Sequence, residues 1–258
     1  MQNNTFSTLF VGQNLIRLKE VDSTNNFLKD LASNSEPLAE GTVIMAENQY
    51  AGRGQVESVW QSQPGKNIST SIYLRPSFLP LNKQFYLTIA VSLAVTDALG
   101  AFIPHGIYVK WPNDIYFQNK KLGGILIENT LTGSLIKASI IGIGLNINQE
   151  EFSDNIAYKA ISVIQILQKS VSIIDILEKL FVYMEKYYLI LRSGRYEFLK
   201  DLYLERLYLF KQSADYRQGE KVFKGSIMDV AESGHILLEV EGESQSFNFK
   251  ELEFIHTK

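Results

Sequence analysis

Apolar and polar side chains alternate along Leu15 to Val21, and this period of two predicts a β-strand. Ser23 follows as an N-cap for a short helix through Leu31, and Thr42 to Ala46 predicts a second strand. From Glu47 to Asn67 the periodicity lapses into Gly, Gln, Ser and Asn, which predicts a loop. A loop of that length inside a compact domain is usually functional or disordered. Ile68 to Leu74 returns to strand, and Gln84 to Leu99 carries apolar residues at helical spacing and stops at Gly100. Tyr108 to Phe117, Leu122 to Asn129 and Leu135 to Ile147 are β-branched, apolar runs divided by Asn119-Lys120 and Thr132-Gly133-Ser134, the pattern of antiparallel hairpins. Ser172 caps a helix reaching about Leu191, and another runs from Arg195 to about Phe210.

From Gln212 the period changes to short strands at Lys221 to Val230, His235 to Val240, Ser246 to Phe249 and Leu252 to Ile255. The expected fold class is therefore α+β. A mixed or antiparallel sheet packed with helices spans 1–210, and a small β-barrel spans 211–258. A unit that small has a marginal core alone and leans on its neighbour.

Composition narrows the functional classes. With 45% hydrophobic residues the chain can bury a sizeable core. No stretch approaches the roughly 18 apolar residues of a membrane span, and the N-terminus lacks a basic segment followed by an apolar run, so a cytoplasmic location without membrane contact is expected. Lys and Arg total 25 against 28 Asp and Glu, and residues 211–258 hold 6 basic and 9 acidic side chains, which argues against DNA as a partner. Cysteine is absent, which excludes thiolate metal sites and a thiol nucleophile from this chain. His105, His235 and His256 are scattered, so no dedicated metal ligands are expected.

Candidate chemistry gathers in two places. Gly52-Arg53-Gly54-Gln55 sits in the long loop, where glycines admit an anion to backbone amides and arginine offers a planar fork to phosphate or carboxylate. Alone, it reads equally as a surface loop with an incidental arginine. Lys110-Trp111-Pro112-Asn113-Asp114 ends a strand at a Trp-Pro step and presents an amide and a carboxylate, and Lys121-Leu122-Gly123-Gly124 follows seven residues later. Two familiar phosphate signatures fail. Gly65-Lys66 lacks the upstream glycine and following Ser or Thr of a P-loop, and Gly142-Ile143-Gly144 lacks the third glycine of a dinucleotide fingerprint.

Taken together, Ser23-Thr24-Asn25, Gly52-Arg53-Gly54, Lys110 to Asp114, Lys121 to Gly124 and Gly142-Ile143-Gly144-Leu145-Asn146 resemble, in order and spacing, the biotin protein ligases. The resemblance covers roughly residues 15–150. It implies a class II synthetase-like catalytic domain, an SH3-like C-terminal domain, and ligation of biotin to one lysine of a biotin carboxyl carrier domain by way of biotinyl-5'-AMP. It implies ATP with Mg2+ as cosubstrate. Biotin would be held by Ser23, Thr24, Gln49, Gly52, Lys121 and Gly124, and the nucleotide by Arg53, Gln55, Trp60, Lys110, Asn113 and Asn146. Arg53, Lys121 and Asp114 would carry the catalysis, Asp114 by deprotonating or orienting the incoming amine.

The sequence departs from the family at Gln55, where many members carry arginine, and at Ser58, where another basic residue is common, so retention of the adenylate is in question. Only 22 residues precede Ser23, too few for the DNA-binding domain of the repressor type, so a ligase-only chain is expected. The family includes monomers and dimers, and a sheet edge offers a place for a homodimer or an acceptor to pair. Two other readings compete: a lipoate ligase or octanoyltransferase of the same fold, and a non-catalytic biotin-binding module. The absence of cysteine and of the lipoate-type glycine-arginine motif weighs against the first. The presence of Arg53, Asp114 and Lys121 together weighs against the second.

Overall fold

The computed structural model describes residues 6–34, 37–55 and 58–255; His256 lies outside them. A seven-stranded sheet has the order β1-β2-β3-β7-β6-β5-β4, formed by Leu15–Val21, Val43–Gln49, Ile68–Leu74, Ile107–Lys110, Asp114–Phe117, Lys120–Thr132 and Leu135–Leu145 as β1 to β7. Only β1 and β2 run parallel, joined by the crossover helix α1 (Thr24–Asn34); every other pair is antiparallel.

The sheet is buried on both faces, and the alternation of side chains divides them. Val43, Ile72, Ile141 and Ile143 point into the main core, which α2 (Phe85–Gly100) and α5 (Ile173–Arg192) complete. Ile44 and Ile140, one residue out of phase, meet Leu28 of α1 on the other face. Ser172 caps α5 as expected, its hydroxyl accepting from the Asp175 amide. Midway along that helix, the buried Glu185 carboxylate accepts the backbone N–H groups of Leu9, Phe10 and Val11, tying the N-terminal segment down.

Three local expectations are corrected. The run from Tyr108 to Phe117 is two strands, β4 and β5, which fold back on each other with Lys110 opposite Asp114. Pro112 has no N–H to continue a ladder, so the run turns there. The helix expected to reach Phe210 is α6 (Tyr196–Glu205) and stops five residues earlier. The chain beyond it pairs with the sheet instead: the Val109 amide donates to Arg206 O and the Tyr208 amide to Val109 O. That pairing covers the β4 edge and overrides the helical pattern. Two short helices, α3 (Asp154–Ala157) and α4 (Val163–Leu167), fill a stretch that the pattern leaves blank.

The C-terminal unit is an antiparallel five-stranded sheet of order β11-β10-β9-β8-β12, from Ser213–Gln218, Lys221–Val230, Ile236–Val240, Glu243–Phe247 and Glu253–Phe254 as β8 to β12. It fits a small SH3-like domain. It leans on the larger unit through a turn in which Gly234 O accepts the Trp111 indole N–H at 2.9 Å and Glu232 meets Lys83 at 3.4 Å. Phe249 adds a ring contact to Trp111 at 5.3 Å.

Candidate active site

Register builds the site. Ser69, Gly144, Gly124, Asp114 and Lys110 lie opposite one another across five strands, so their side chains share one face of the sheet. One step along lie Ser71, Gly142 and Leu126. This is the α1 face, and the glycines keep it hollow. A Cβ at Gly142 would stand 2.5 Å from Asn25 Oδ1, and one at Gly144 2.5 Å from the Trp60 ring. The cavity left there measures about 310 Å³, within the range of small-molecule sites (roughly 300 to 1,000 Å³).

One end of the cavity is neutral and polar. The start of α1 presents Ser23 and Thr24, and the Thr24 backbone N–H donates to Gln49 Oε1 at 2.8 Å, with the Thr24 hydroxyl 3.0 Å from the same oxygen. The other end is charged, with Lys121 Nζ at 2.6 Å from Asp114 Oδ1. Between them the glycine-rich loop folds over as a small antiparallel bridge. Arg53 pairs with Val59, Gly54 N–H donates to Ser58 O, and Trp60 N–H donates to Gly52 O. The stretch read as a structureless loop is thus ordered by its own backbone hydrogen bonds on either side of positions 56–57, which lie outside the described residues.

Of the residues expected at the site, Ser23, Thr24, Gln49, Arg53, Gln55, Trp60, Asn113, Asp114, Lys121 and Gly124 line this cavity. Asn146 lines a neighbouring pocket of about 340 Å³, which Trp60 and Lys121 also wall and to which Lys159 adds a cation. The Trp60 indole N–H is buried and has no partner among the described residues, a donor the protein leaves unsatisfied. Asn113 is committed to structure, its amide donating to Ile125 O.

Gly52 and Lys110 are not part of the cavity wall. Gly52 closes the loop, where a Cβ would come 2.5 Å from Trp60 O. The Lys110 ammonium is tucked between the Tyr116 and Phe254 rings, 4.8 and 4.9 Å from their centroids, and donates to the Tyr116 hydroxyl at 3.1 Å. Burial pushes its pKa down to about 8, against the pull of Asp114.

Sequence reasoning missed Lys250, which reaches the cavity from the C-terminal unit on a turn where its own φ is +70°. Nothing in the local sequence marks it, because the docking of Phe249 delivers it. It also missed the roles of Asn25, Ser71 and Glu128. For Glu128 there was a signal: it lies four residues after Gly124 on the same strand, and hence on the same face.

Comparison with known proteins agrees with this geometry. The model of the biotin/lipoate A/B protein ligase family matches residues 18–146, half of the chain. The bifunctional ligase/repressor BirA of Bacillus spizizenii is 32% identical over 236 residues, 91% of this chain and 72% of that protein. The chain belongs to the biotin/lipoate A/B protein ligase family. A biotin--[acetyl-CoA-carboxylase] ligase of Mycobacterium tuberculosis is 25% identical over 86% of this chain and 82% of its own length. Among solved structures, the biotin protein ligase of Aquifex aeolicus in complex with biotin and ATP superposes with a TM-score of 0.79 at 27% identity, covering 95% of this chain and 99% of that one. The family match ends at Asn146, so Lys250 and the α3 segment beside the second pocket lie beyond it.

Lys110 gives this site a pH signature. The folded protein releases the Lys110 proton near pH 8 and the unfolded chain near 10.5, so between those values the unfolded chain binds more protons and this group's contribution to stability rises with pH. Lys110→Met removes the cost of burying the charge. Its advantage over the unsubstituted protein in urea unfolding is expected to shrink by about 2 kcal/mol from about pH 7 to about pH 10. An advantage that stays constant across that range would show that Lys110 titrates as a solvated lysine.

Proposed function

We propose that this protein uses ATP to join biotin to one lysine of a carrier domain of a biotin-dependent carboxylase, through biotinyl-5'-AMP. The observation that carries the reading is the polarity of the cavity: hydrogen-bonding neutral groups at Thr24 and Gln49, a paired lysine and carboxylate at Lys121 and Asp114, and beyond Trp60 a neighbouring pocket to which Lys159 adds a cation. A cyclic urea needs donors and acceptors in a narrow slot, which the first end supplies. The relative from Aquifex aeolicus, whose structure holds biotin and ATP, spans nearly the whole fold.

In the first step, a carboxylate oxygen of biotin attacks the α-phosphorus of ATP, and the bond to the diphosphate oxygen breaks. Lys121 neutralises charge where carboxylate and phosphate meet, and Lys250 and Arg53 line the same cavity. The Trp60 N–H and Asn146 mark the nucleotide end. Magnesium would enter with the phosphates of ATP, whose charge it would offset. In the second step, the acceptor amine attacks the acyl carbon and AMP leaves with the bonding electrons.

A neutral lysine at pH 7 costs roughly 4 to 5 kcal/mol, and we assign Asp114 to orient the incoming amine and receive its proton. No helix among the described residues is long and apolar enough to cross a membrane. The acidic balance of residues 211–258 favours a protein acceptor over DNA, and a cytoplasmic site of action belongs to the same reading.

The direct test is to incubate the protein with biotin, ATP, magnesium and a carrier domain and to weigh the carrier. One added biotinyl group is expected, and no mass change on a carrier that a known ligase modifies would refute the function. Asp114→Asn is expected to slow transfer from preformed biotinyl-AMP at least tenfold, a factor worth about 1.4 kcal/mol; an unchanged single-turnover rate would remove Asp114 from that step. Gln55→Arg restores a cation at the cavity wall and is expected to slow release of biotinyl-AMP about tenfold, as one charge-assisted hydrogen bond would. Equal release rates in a filter-binding assay would show that position 55 does not hold the adenylate.

A further inference from the structure

The neutral end of the cavity is joined to the glycine-rich loop by a chain of hydrogen bonds that passes through Ser71 and Glu128, which lie outside the cavity wall. Gln49 Oε1 receives the Thr24 backbone N–H. The Thr24 hydroxyl lies 2.7 Å from Ser71 Oγ and the Ser71 hydroxyl 2.6 Å from Asn25 Oδ1; each has one proton, so Ser71 donates to Asn25 and Thr24 donates to Ser71. The amide of Asn25 then donates to Glu128 Oε2 at 2.7 Å, and the same carboxylate oxygen receives the Arg53 guanidinium at 2.7 Å. Thr24, Asn25 and Ser71 are all less than 5% exposed. A buried amide whose oxygen and nitrogen are both engaged cannot flip without losing both bonds, and only glycine at 142 leaves room for it.

Arg53 in turn belongs to the bridge that folds the glycine-rich loop over the cavity. We propose that Glu128 is a positioning residue of this site. It clamps the loop closed through Arg53, and Asn25 ties that clamp to the end of the cavity assigned to the biotin ring. Glu128 itself touches no substrate. Its carboxylate is about one-third exposed and Arg53 somewhat more, so the clamp is weak enough to open and strong enough to bias the loop. The inference rests on the biotin assignment of the preceding section.

The probe is biotinol, biotin with its carboxylate reduced to an alcohol. It carries no anion for Arg53 to pair with directly, so its release reports the loop. Stopped-flow release is expected to be about fivefold faster from Glu128→Gln than from the unsubstituted protein, the upper scale of one partly exposed ion pair. Arg53→Met, at a partly exposed position outside the buried Thr24-Ser71-Asn25 links, is expected to give the same acceleration and decides the matter should Glu128→Gln fold poorly. Because Glu128 acts through Arg53, the double variant should release no faster than either single one. Release rates within twofold of the unsubstituted protein, or effects that multiply in the double variant, would overturn the clamp. Failure of the unsubstituted protein to bind either biotin or biotinol would overturn the proposed function and the clamp with it, whereas normal binding with unchanged release overturns the clamp alone.

Discussion

The structure depends on a steric condition at two positions of one strand. Gly142 and Gly144 lie on the face of the sheet that α1 covers, where Ile140 two residues earlier packs in the ordinary way. Were either glycine to carry a side chain, it would stand within 2.5 Å of Asn25 or Trp60. Close packing tolerates no such overlap. α1 or the glycine-rich loop would have to lift, and the cavity between them would fill or open to water. The hollow is therefore a consequence of strand register, with rigid β6 and β7 as its floor.

On that floor the charged groups are placed by pairing rather than by loops. Asp114 is opposite Gly124 and Gly124 opposite Gly144, so Asp114, with Lys121 at 2.6 Å, reaches the cavity from strands held on both sides. Precision of this kind is what a reaction that relies on positioning requires. The roof has a different character. The glycine-rich loop is fixed by a few backbone hydrogen bonds and one ion pair, and Lys250 arrives on a turn of the other unit. Groups that must admit substrate and release product thus sit on a loop and a turn outside the sheet ladder.

Much of this was legible in the sequence, for physical reasons that also mark its limits. α5 follows from periodicity because it buries one face, while α2 and β3, buried on nearly every side, follow from apolar or β-branched runs with clear ends. β8 escaped notice because in Ser-Ala-Asp-Tyr-Arg-Gln only Tyr216 is buried, which leaves no alternation to read. The end of α6 escaped because its last apolar residues serve a strand edge, a tertiary demand that a local pattern does not carry. Ten of the residues expected at the site share one cavity because the motifs that name them fall at strand ends and helix starts, where the fold converges.

The hidden part of the site is the polar chain behind it. Asn25 lines the cavity with its motif neighbours, but the polar atoms of its side chain are engaged by Ser71 and Glu128. Each link in that chain is ordinary in sequence: a serine in a strand, a glutamate four residues past a glycine. Their meaning is collective, since Ser71 bridges oxygens of α1 only because β3 lies beneath it, and Glu128 meets Asn25 only because Gly142 yields the space. Buried polar groups that satisfy one another cost little, while any one left alone costs about 1 to 3 kcal/mol. Such a chain holds one arrangement in preference to others, and here the arrangement it holds carries the loop that closes the cavity.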